Sequence, residues 1–402
     1  MNGRNSATRG LELKFINLYF WVFWLQCIPG TYLNLFFKRH GLSGTEIGIL
    51  GAAASVVGVL VTPFIGVKFD CSPRRPAFLA RLALIAGVSF ALYAFPRSLP
   101  LILPLALVLS ASWGPLIPLL DSLTLSKVVT AASRHGYGGY RRWGSLGFAV
   151  GALVVGFLAG RVGLGIIFPA YLACALVVAW LARGIPREAA PPAREEIKLT
   201  AVGDLLRIKP FRTFLLVILF SYAGNSGCWT FRTIYLDSIG VPEAAIGALW
   251  LLPIMAEVAC FSFARRLIEK YGTTKLMSAG ILLGVMRWWL LSVQGWTPLL
   301  FVTEILHGLS FAVFYPSAVA FVSSVVPARL RGTAQIMYFS STAGLGGAAG
   351  SFIAGRIFDV LGVKPVLWIG GALGVVTSIL ILALVKPAEG TRGAPVSPPV
   401  AE

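Results

Sequence analysis

Charged side chains make up only 12% of the 402 residues, about half the share found in an ordinary soluble domain. With 57% hydrophobic residues and a mean hydropathy of +0.80, such a chain has too few polar groups to clothe a water-exposed surface, which excludes a soluble globule. Histidine is scarcer still, at three residues. The five cysteines, Cys27, Cys71, Cys174, Cys228 and Cys260, stand apart with no C-x-x-C spacing, so neither a metal centre nor a disulfide framework is expected. The phosphate-cradling pattern G-x-x-x-x-G-K-[ST] is missing, which argues against coupling to ATP. Three scattered histidines and isolated cysteines also give no constellation for a membrane-embedded enzyme, and no long polar segment suggests the output domain of a receptor. No cofactor, no metal and no enzymatic activity are expected.

What the chain does have is apolar length. Taking about 20 apolar residues as one bilayer crossing, twelve spans are predicted: 13–37, 44–67, 77–96, 100–126, 142–160 and 163–183, then 211–237, 243–265, 275–293, 297–325, 332–358 and 363–385. The fold class is therefore an all-α integral membrane protein. The first run is too long for a signal peptide and lacks an A-x-A cleavage pattern, so it is expected to remain as the first span. The polar stretch 184–210 reads as a linker between an N-terminal six-helix bundle (1–183) and a C-terminal one (211–386), and the Pro-rich tail 387–402 is expected to be disordered.

The net charge of +18 does not point to nucleic acid, because Lys and Arg are spread over many short loops. They cluster on the side of the termini. The opposite loops hold only Lys38, Arg39, Arg97, Arg161, Arg356 and Lys364, while Arg81, Arg232 and Arg287 fall within spans. The bias predicts cytoplasmic termini in a plasma (inner) membrane, with the lipid bilayer as the surrounding partner. A functional monomer is expected.

The halves repeat each other. Gly41–Leu50, entering span 2, matches Gly240–Leu249, entering span 8; Gly156–Arg161 matches Ser351–Arg356. Duplicated bundles in one orientation place a binding site at their interface near mid-membrane. Small-residue rows (Gly58, Thr62 and Gly66; Gly147 and Gly151; Gly347, Ser351 and Gly355) predict close helix seams.

Ionisable residues inside the spans are the candidate site, since a charge near the bilayer centre costs a few kcal/mol at least and faces protein or a water-filled cavity. Glu304 and His307 are three apart on span 10 and share a helix face with Phe311 and Tyr315. Glu257 on span 8 and Arg287 on span 9 lie in neighbouring runs. A substrate or proton site and a structural inter-helix tie are both open for these residues. On span 7, Tyr222, Asn225, Ser226, Trp229 and Arg232 form a stripe that reads as cavity lining or as inter-helix hydrogen bonding; Asn17, Trp21, Trp24 and Tyr32 form a more aromatic row on span 1. Asp121 and Arg141 are candidates for a pair across spans 4 and 5.

Loop 2-3, Gly66-Val-Lys-Phe-Asp70-Cys-Ser-Pro-Arg74-Arg75, resembles the G-x-x-x-D-x-x-G-R-R signature of the major facilitator superfamily, with Pro73 where glycine is usual. The resemblance implies a conformational latch made by Gly66, Asp70, Arg74 and Arg75. Pro118-Leu-Leu-Asp121, Tyr137-Gly-Gly-Tyr-Arg141-Arg-Trp-Gly and Leu306-His307-Gly308 are similar to the branch holding phenylpropionate and lactose permeases. That similarity implies secondary transport of a small organic solute by alternating access, with proton symport. By motif position it implies solute contacts from Asp121, Arg141, Phe148 and Glu257, joined by Asn225 and Trp229 from the stripe. It also implies proton coupling through Glu257, Arg287 and His307, to which the placement of Glu304 beside His307 in span 10 adds a further candidate. The chain departs from lactose permease at Glu304 (a lysine there), Ser310 (a glutamate), Phe148 (a tryptophan) and Cys260 (an asparagine), which argues against a galactoside. An aromatic acid is the expected solute, then a nucleoside or sugar; an exporter or a uniporter is the alternative.

Overall fold

Two pairs of glycines turn the backbone in the same way, 199 residues apart. Gly41 (φ +93°) and Gly240 (φ +82°) form one pair, Gly163 (φ +88°) and Gly362 (φ +86°) the other. Only glycine enters this left-handed region without strain, so the repeat is written into the backbone as well as the sequence. The computed structural model describes residues 2–96, 98–126, 137–186, 199–261, 263–293, 295 and 297–386, and no strand occurs among them. The expected disordered tail 387–402 lies outside the described residues, as does 187–198 of the connecting segment. The remainder of that segment forms a short helix, Leu199–Arg207, held to the C-terminal half by the fully buried Leu205.

Among the described residues, eleven helices are long and apolar enough to cross a bilayer. They are α1 (Gly10–Arg39), α2 (Gly44–Asp70), α3 (Arg75–Leu92), α4 (Leu99–Thr124), α5 (Tyr137–Val162), α6 (Leu164–Arg183), α7 (Lys209–Ser238), α8 (Glu243–Phe261), α9 (Thr273–Val293), α10 (Leu299–Val325) and α12 (Val363–Leu384). Between the last two lies α11 (331–361), built as Arg331–Phe339, a π-helical stretch Ser340–Gly346, and Gly347–Leu361. Its glycines and serines lower its hydropathy because α11 packs against α2, α7 and α12 rather than lying open to lipid. With α11 the described residues make twelve crossings, so the start of the first described helix and the end of the last lie on one face.

Local chemistry sets the helix starts. Ser43 and Glu46 form a reciprocal capping box at the start of α2, and Pro76, Pro100 and Pro210 sit in the first turns of α3, α4 and α7. Glycine then decides how closely helices approach. A Cβ on Gly147 of α5 would sit 2.0 Å from the Phe20 carbonyl oxygen of α1, and one on Gly308 of α10 would sit 2.4 Å from the Pro253 carbonyl oxygen of α8.

The halves meet along two seams that are copies of each other. In the first, a Cβ on Gly355 of α11 would meet the Gly44 carbonyl oxygen of α2 at 2.3 Å, and one on Gly48 would meet the Ser351 carbonyl oxygen at 2.5 Å. In the second, a Cβ on Gly156 of α5 would meet the Glu243 carbonyl oxygen of α8 at 2.5 Å, and one on Gly247 would meet the Ala152 carbonyl oxygen at 2.2 Å. Each contact maps onto its counterpart by the same 199-residue shift. The match of Gly156–Arg161 with Ser351–Arg356 is therefore one helical turn out of register, because small residues recurring every fourth position resemble themselves when slid by one turn.

Hydrogen bonds between the halves cluster on the face away from the termini. Arg39 pairs with Asp237 and, at 2.7 Å, with Glu243. Asp359 accepts from the Gly44 amide (2.6 Å), the Thr45 amide (2.7 Å) and the Thr45 hydroxyl (2.6 Å). The Asn34 amide group donates to the Thr230 carbonyl at 2.9 Å. Farther along α2 the predicted small-residue row makes no such seam: a Cβ on Gly58 or Gly66 would meet nothing within 4 Å. The row that carries the seam is Gly44, Gly48 and Gly51, one to two turns after the cap.

Candidate functional site

A cavity of about 600 Å³ lies where α7, α8, α9, α10, α11 and α12 converge, with Ser55 of α2 on its far wall. Tyr222, Asn225, Ser226 and Trp229 of the α7 stripe line it, as do Glu257, Arg287, His307 and Ser310. A second cleft of about 350 Å³ opens near Phe36, Arg39, His40 and Phe168, at the outer ends of α1 and α6.

Beside Trp229 lies a deeply buried charge cluster that reaches the cavity through Arg287. Glu304 Oε1 accepts from Arg232 Nη2 at 2.7 Å and from Arg232 Nε at 3.3 Å, and Glu304 Oε2 accepts from Arg287 Nη2 at 3.4 Å. All three residues are about 1% exposed. Burying an ion pair is tolerable only when each charge is met by its opposite, and here two guanidinium groups share one carboxylate. Aromatic rings complete the box. The Arg287 guanidinium lies 4.1 Å from the Trp288 ring centre and 4.5 Å from that of Trp229, and Arg232 lies 5.1 Å from Trp250. Such faces attract cations through their quadrupoles.

The rings form a continuous platform. Trp229 stacks on Trp250 at 5.5 Å and 16°, His307 meets Trp229 at 4.8 Å, and Phe148 from the N-terminal half meets Trp250 edge-on at 4.8 Å. Trp288 Nε1 donates to Asn225 Oδ1 at 3.1 Å, which fixes the amide beside the cavity.

The candidates thus fall into separate groups. Arg287, Glu304 and His307 come together with Trp229 and Asn225. Glu257 lines the same cavity without an ion pair to Arg287, whose carboxylate partner is Glu304 instead. In the N-terminal half, Asp121 accepts from the Tyr19 hydroxyl at 2.6 Å. The Arg141 guanidinium lies 3.9 Å over the Phe23 ring, and the structure shows no direct ion pair between it and Asp121. Phe148 reaches the platform through Trp250. In loop 2-3, Arg75 Nη2 donates to the Asp70 carbonyl at 3.0 Å and its carboxylate at 3.4 Å, while Arg74 is exposed. Gly66 stands in open space in this arrangement.

Sequence reasoning missed the partnership of Arg232 with Glu304, the aromatic role of Trp288, and the outer contacts of Arg39, Asp237, Glu243 and Asp359. The first had a signal: Arg232, Arg287 and Glu304 are charged residues in three separate apolar runs, and buried charges are expected to be paired.

A family model described as the MFS_1 like family matches residues 12–367. The chain belongs to that family. Among curated members of similar sequence, the maltose permease of Geobacillus stearothermophilus is 28% identical over 93% of this chain and 94% of its own length. The probable 3-phenylpropionic acid transporter of Escherichia coli (strain K12) is 26% identical over 90% of this chain and 94% of its own. A solved structure of a variant of the nucleoside transporter NupG superposes with a TM-score of 0.84 at 19% identity, covering 94% of this chain and all of that one. The MFS_1 like fold of twelve helices in two pseudo-symmetric bundles is thus shared with transporters, not enzymes, and the protein is a multi-pass membrane transporter of small solutes.

Proposed function

We propose that the protein is a proton-coupled symporter of a small organic acid with an aromatic body, working by alternating access as a monomer. The observation that carries this reading is the cavity itself. It has a stacked aromatic wall, a cationic surplus beside that wall, and in Glu257 a carboxylate without an ion-pair partner among the described residues. The wall suits a planar ring, which gains about 0.5–1.5 kcal/mol per well-placed aromatic contact beyond its area burial. The surplus suits a carboxylate. Glu257 and His307 are the proposed proton-handling groups. Glu304, held between two arginines, is proposed to act in coupling as the counter-charge that sets Arg287. Asp121 and Arg141 are proposed to complete the site from the N-terminal half.

In this reading, 1–183 and 211–386 rock as two bodies about the 184–210 linker. The seams and ion pairs on the face away from the termini, with Gly58 and Gly66 of α2 in open space, support a state open toward the terminal face. The distribution of Lys and Arg supports cytoplasmic termini in the inner membrane. Asp70 with Arg75 is proposed to latch the terminal face when Gly66 and Arg74 meet the other half. The resemblance to the 3-phenylpropionic acid transporter favours the acid; the stacked tryptophans and the NupG-like fold favour a nucleoside as second reading.

The test is uptake of labelled 3-phenylpropionate in cells lacking their own permeases, with the wild type, Glu257→Gln, Glu304→Gln and His307→Ala. Proton-coupled uptake left intact in all three variants would end the assignment of coupling to these residues, and uptake with no proton coupling in the wild type would end the symport reading. Solute-induced alkalinisation of the medium separates a symporter from an exporter or a uniporter.

A further inference from the structure

Building on that symport reading, we infer that the carrier moves an organic monoanion with one proton on Glu257, so that loaded and empty sites carry equal net charge and transport is electroneutral. The inference comes from counting charge around the cavity. Arg232 and Arg287 against Glu304 leave one positive charge over, with histidine counted as neutral. An ionised Glu257 cancels it within the same cavity. In the N-terminal half, Arg141 and Asp121 cancel each other. The groups facing the Trp250–Glu257 part of α8 from its neighbours are Glu304, His307 and the exposed Tyr315 on α10, Arg232 on α7, Arg287 on α9 and Arg141 on α5; at the outer end of α8, Glu243 is paired with Arg39 of α1, and the charges of the short helix Ala264–Tyr271 are exposed. The empty site is thus neutral. A bound monoanion would leave it one charge negative in surroundings that penalise an unpaired ion, and protonating Glu257 restores neutrality.

Hydrogen bonding marks where the anion sits. Arg232 holds Glu304 through two nitrogens, the nearer at 2.7 Å, whereas Arg287 touches it through one at 3.4 Å. Arg287 is on the cavity wall, and its Nε is buried with no acceptor; Trp250 Nε1 in the same cluster also lacks one. Buried donors without acceptors are rare in finished structures. A carboxylate brings about four acceptor positions and suits a planar guanidinium. Arg287 is therefore the anion receptor, Arg232 its fixed support, and Glu304 the internal anion that keeps both arginines in place while the site is empty. The proton on Glu257 is the price of admission for the solute's charge.

The experiment uses the full chain in sealed liposomes, with labelled 3-phenylpropionate as probe, its uncharged amide as comparator and protein-free liposomes subtracted. Uptake is measured under a pH gradient with the potential clamped at zero by potassium and valinomycin, then under an inside-negative potential with no pH gradient. The inference expects accumulation by the pH gradient and a rate altered less than about twofold by the potential, since no net charge crosses the field. Accumulation driven by inside-negative potential alone would overturn electroneutrality while leaving symport standing. Equilibration without accumulation under either gradient, or no protein-dependent uptake, would overturn both.

Glu257→Gln mimics the protonated carboxyl. It is expected to exchange the acid across the bilayer but not to accumulate it under a pH gradient. Wild-type accumulation by this variant would overturn the assignment of the proton. Arg287→Gln is expected to weaken binding of the acid by about tenfold or more and to leave the amide within about threefold; equal losses for both probes would overturn Arg287 as anion receptor. Should that buried substitution fail to fold, the potential clamp on the wild type still decides the electroneutral cycle.

Discussion

Removing the Asp359 carboxylate should loosen the contact between the halves on the face away from the termini. Its two oxygens accept three hydrogen bonds from the first turn of α2, at 2.6, 2.7 and 2.6 Å, where the unsatisfied amides of a helix start attract negative charge. In a dry interior each charge-assisted bond would contribute about 1.5–3 kcal/mol. Asp359 is exposed, so water replaces much of what is lost, and the whole contact is worth about 1–2 kcal/mol, near the range for a helix cap. Asp359→Ala should therefore shift the balance between closed and open seams about 5- to 30-fold. Spin labels on cysteines placed at Val162 and Leu361, both exposed at the outer ends of α5 and α11, would report the distance between halves once the five natural cysteines are replaced. A longer-distance population should grow in Asp359→Ala and less in Asp359→Asn, which keeps an acceptor but not the charge. Gly355→Ala should produce the same population by steric means, since its Cβ would meet the Gly44 carbonyl oxygen at 2.3 Å. A distance distribution unchanged from the parent in Asp359→Ala would refute the reasoning.

Glu304→Gln leaves Arg232 and Arg287 buried without a counter-charge and should destabilise the protein by about 3–5 kcal/mol; an unchanged thermal unfolding curve in detergent would contradict the cluster. Gly147→Ala should destabilise by about 1–3 kcal/mol through overpacking against Phe20, while Gly58→Ala, with open space around it, should lie within about 0.5 kcal/mol of the parent, both read from the same curves. Trp229→Leu removes the ring between Trp250, His307 and Arg287. It should weaken binding of 3-phenylpropionate by about 2- to 12-fold, equivalent to about 0.5–1.5 kcal/mol of stacking, as measured by calorimetry.

The spans were legible because crossing a bilayer demands long apolar runs, and twelve of them stand out between basic loops. The exception shows the limit: 331–361 is a span whose neighbours are other helices, so glycine and serine replace leucine and its apolarity falls. Of the site, the α7 stripe and the ionisable residues of α8, α9 and α10 were visible, since each breaks an apolar run. Their pairing was not. Glu304 is closer in sequence to Arg287 than to Arg232, yet the shorter bond runs to Arg232, because register between helices decides which guanidinium arrives first. The outer seam was hidden for another reason: Asp359 and Arg39 lie at helix ends, where charge is ordinary and carries no warning of a partner some 200 or 300 residues away.

The cavity draws on the two lobes unequally, with Ser55 the N-terminal lobe's contribution to a wall otherwise made by its twin. A duplicated ancestor would have begun with equal shares. Once one copy carries most of the wall that reads the cargo, the other is freer to change, except at the few positions that complete the site, such as Phe148 against Trp250. New cargoes can then arise from substitutions in a single lobe, leaving the machinery of motion untouched.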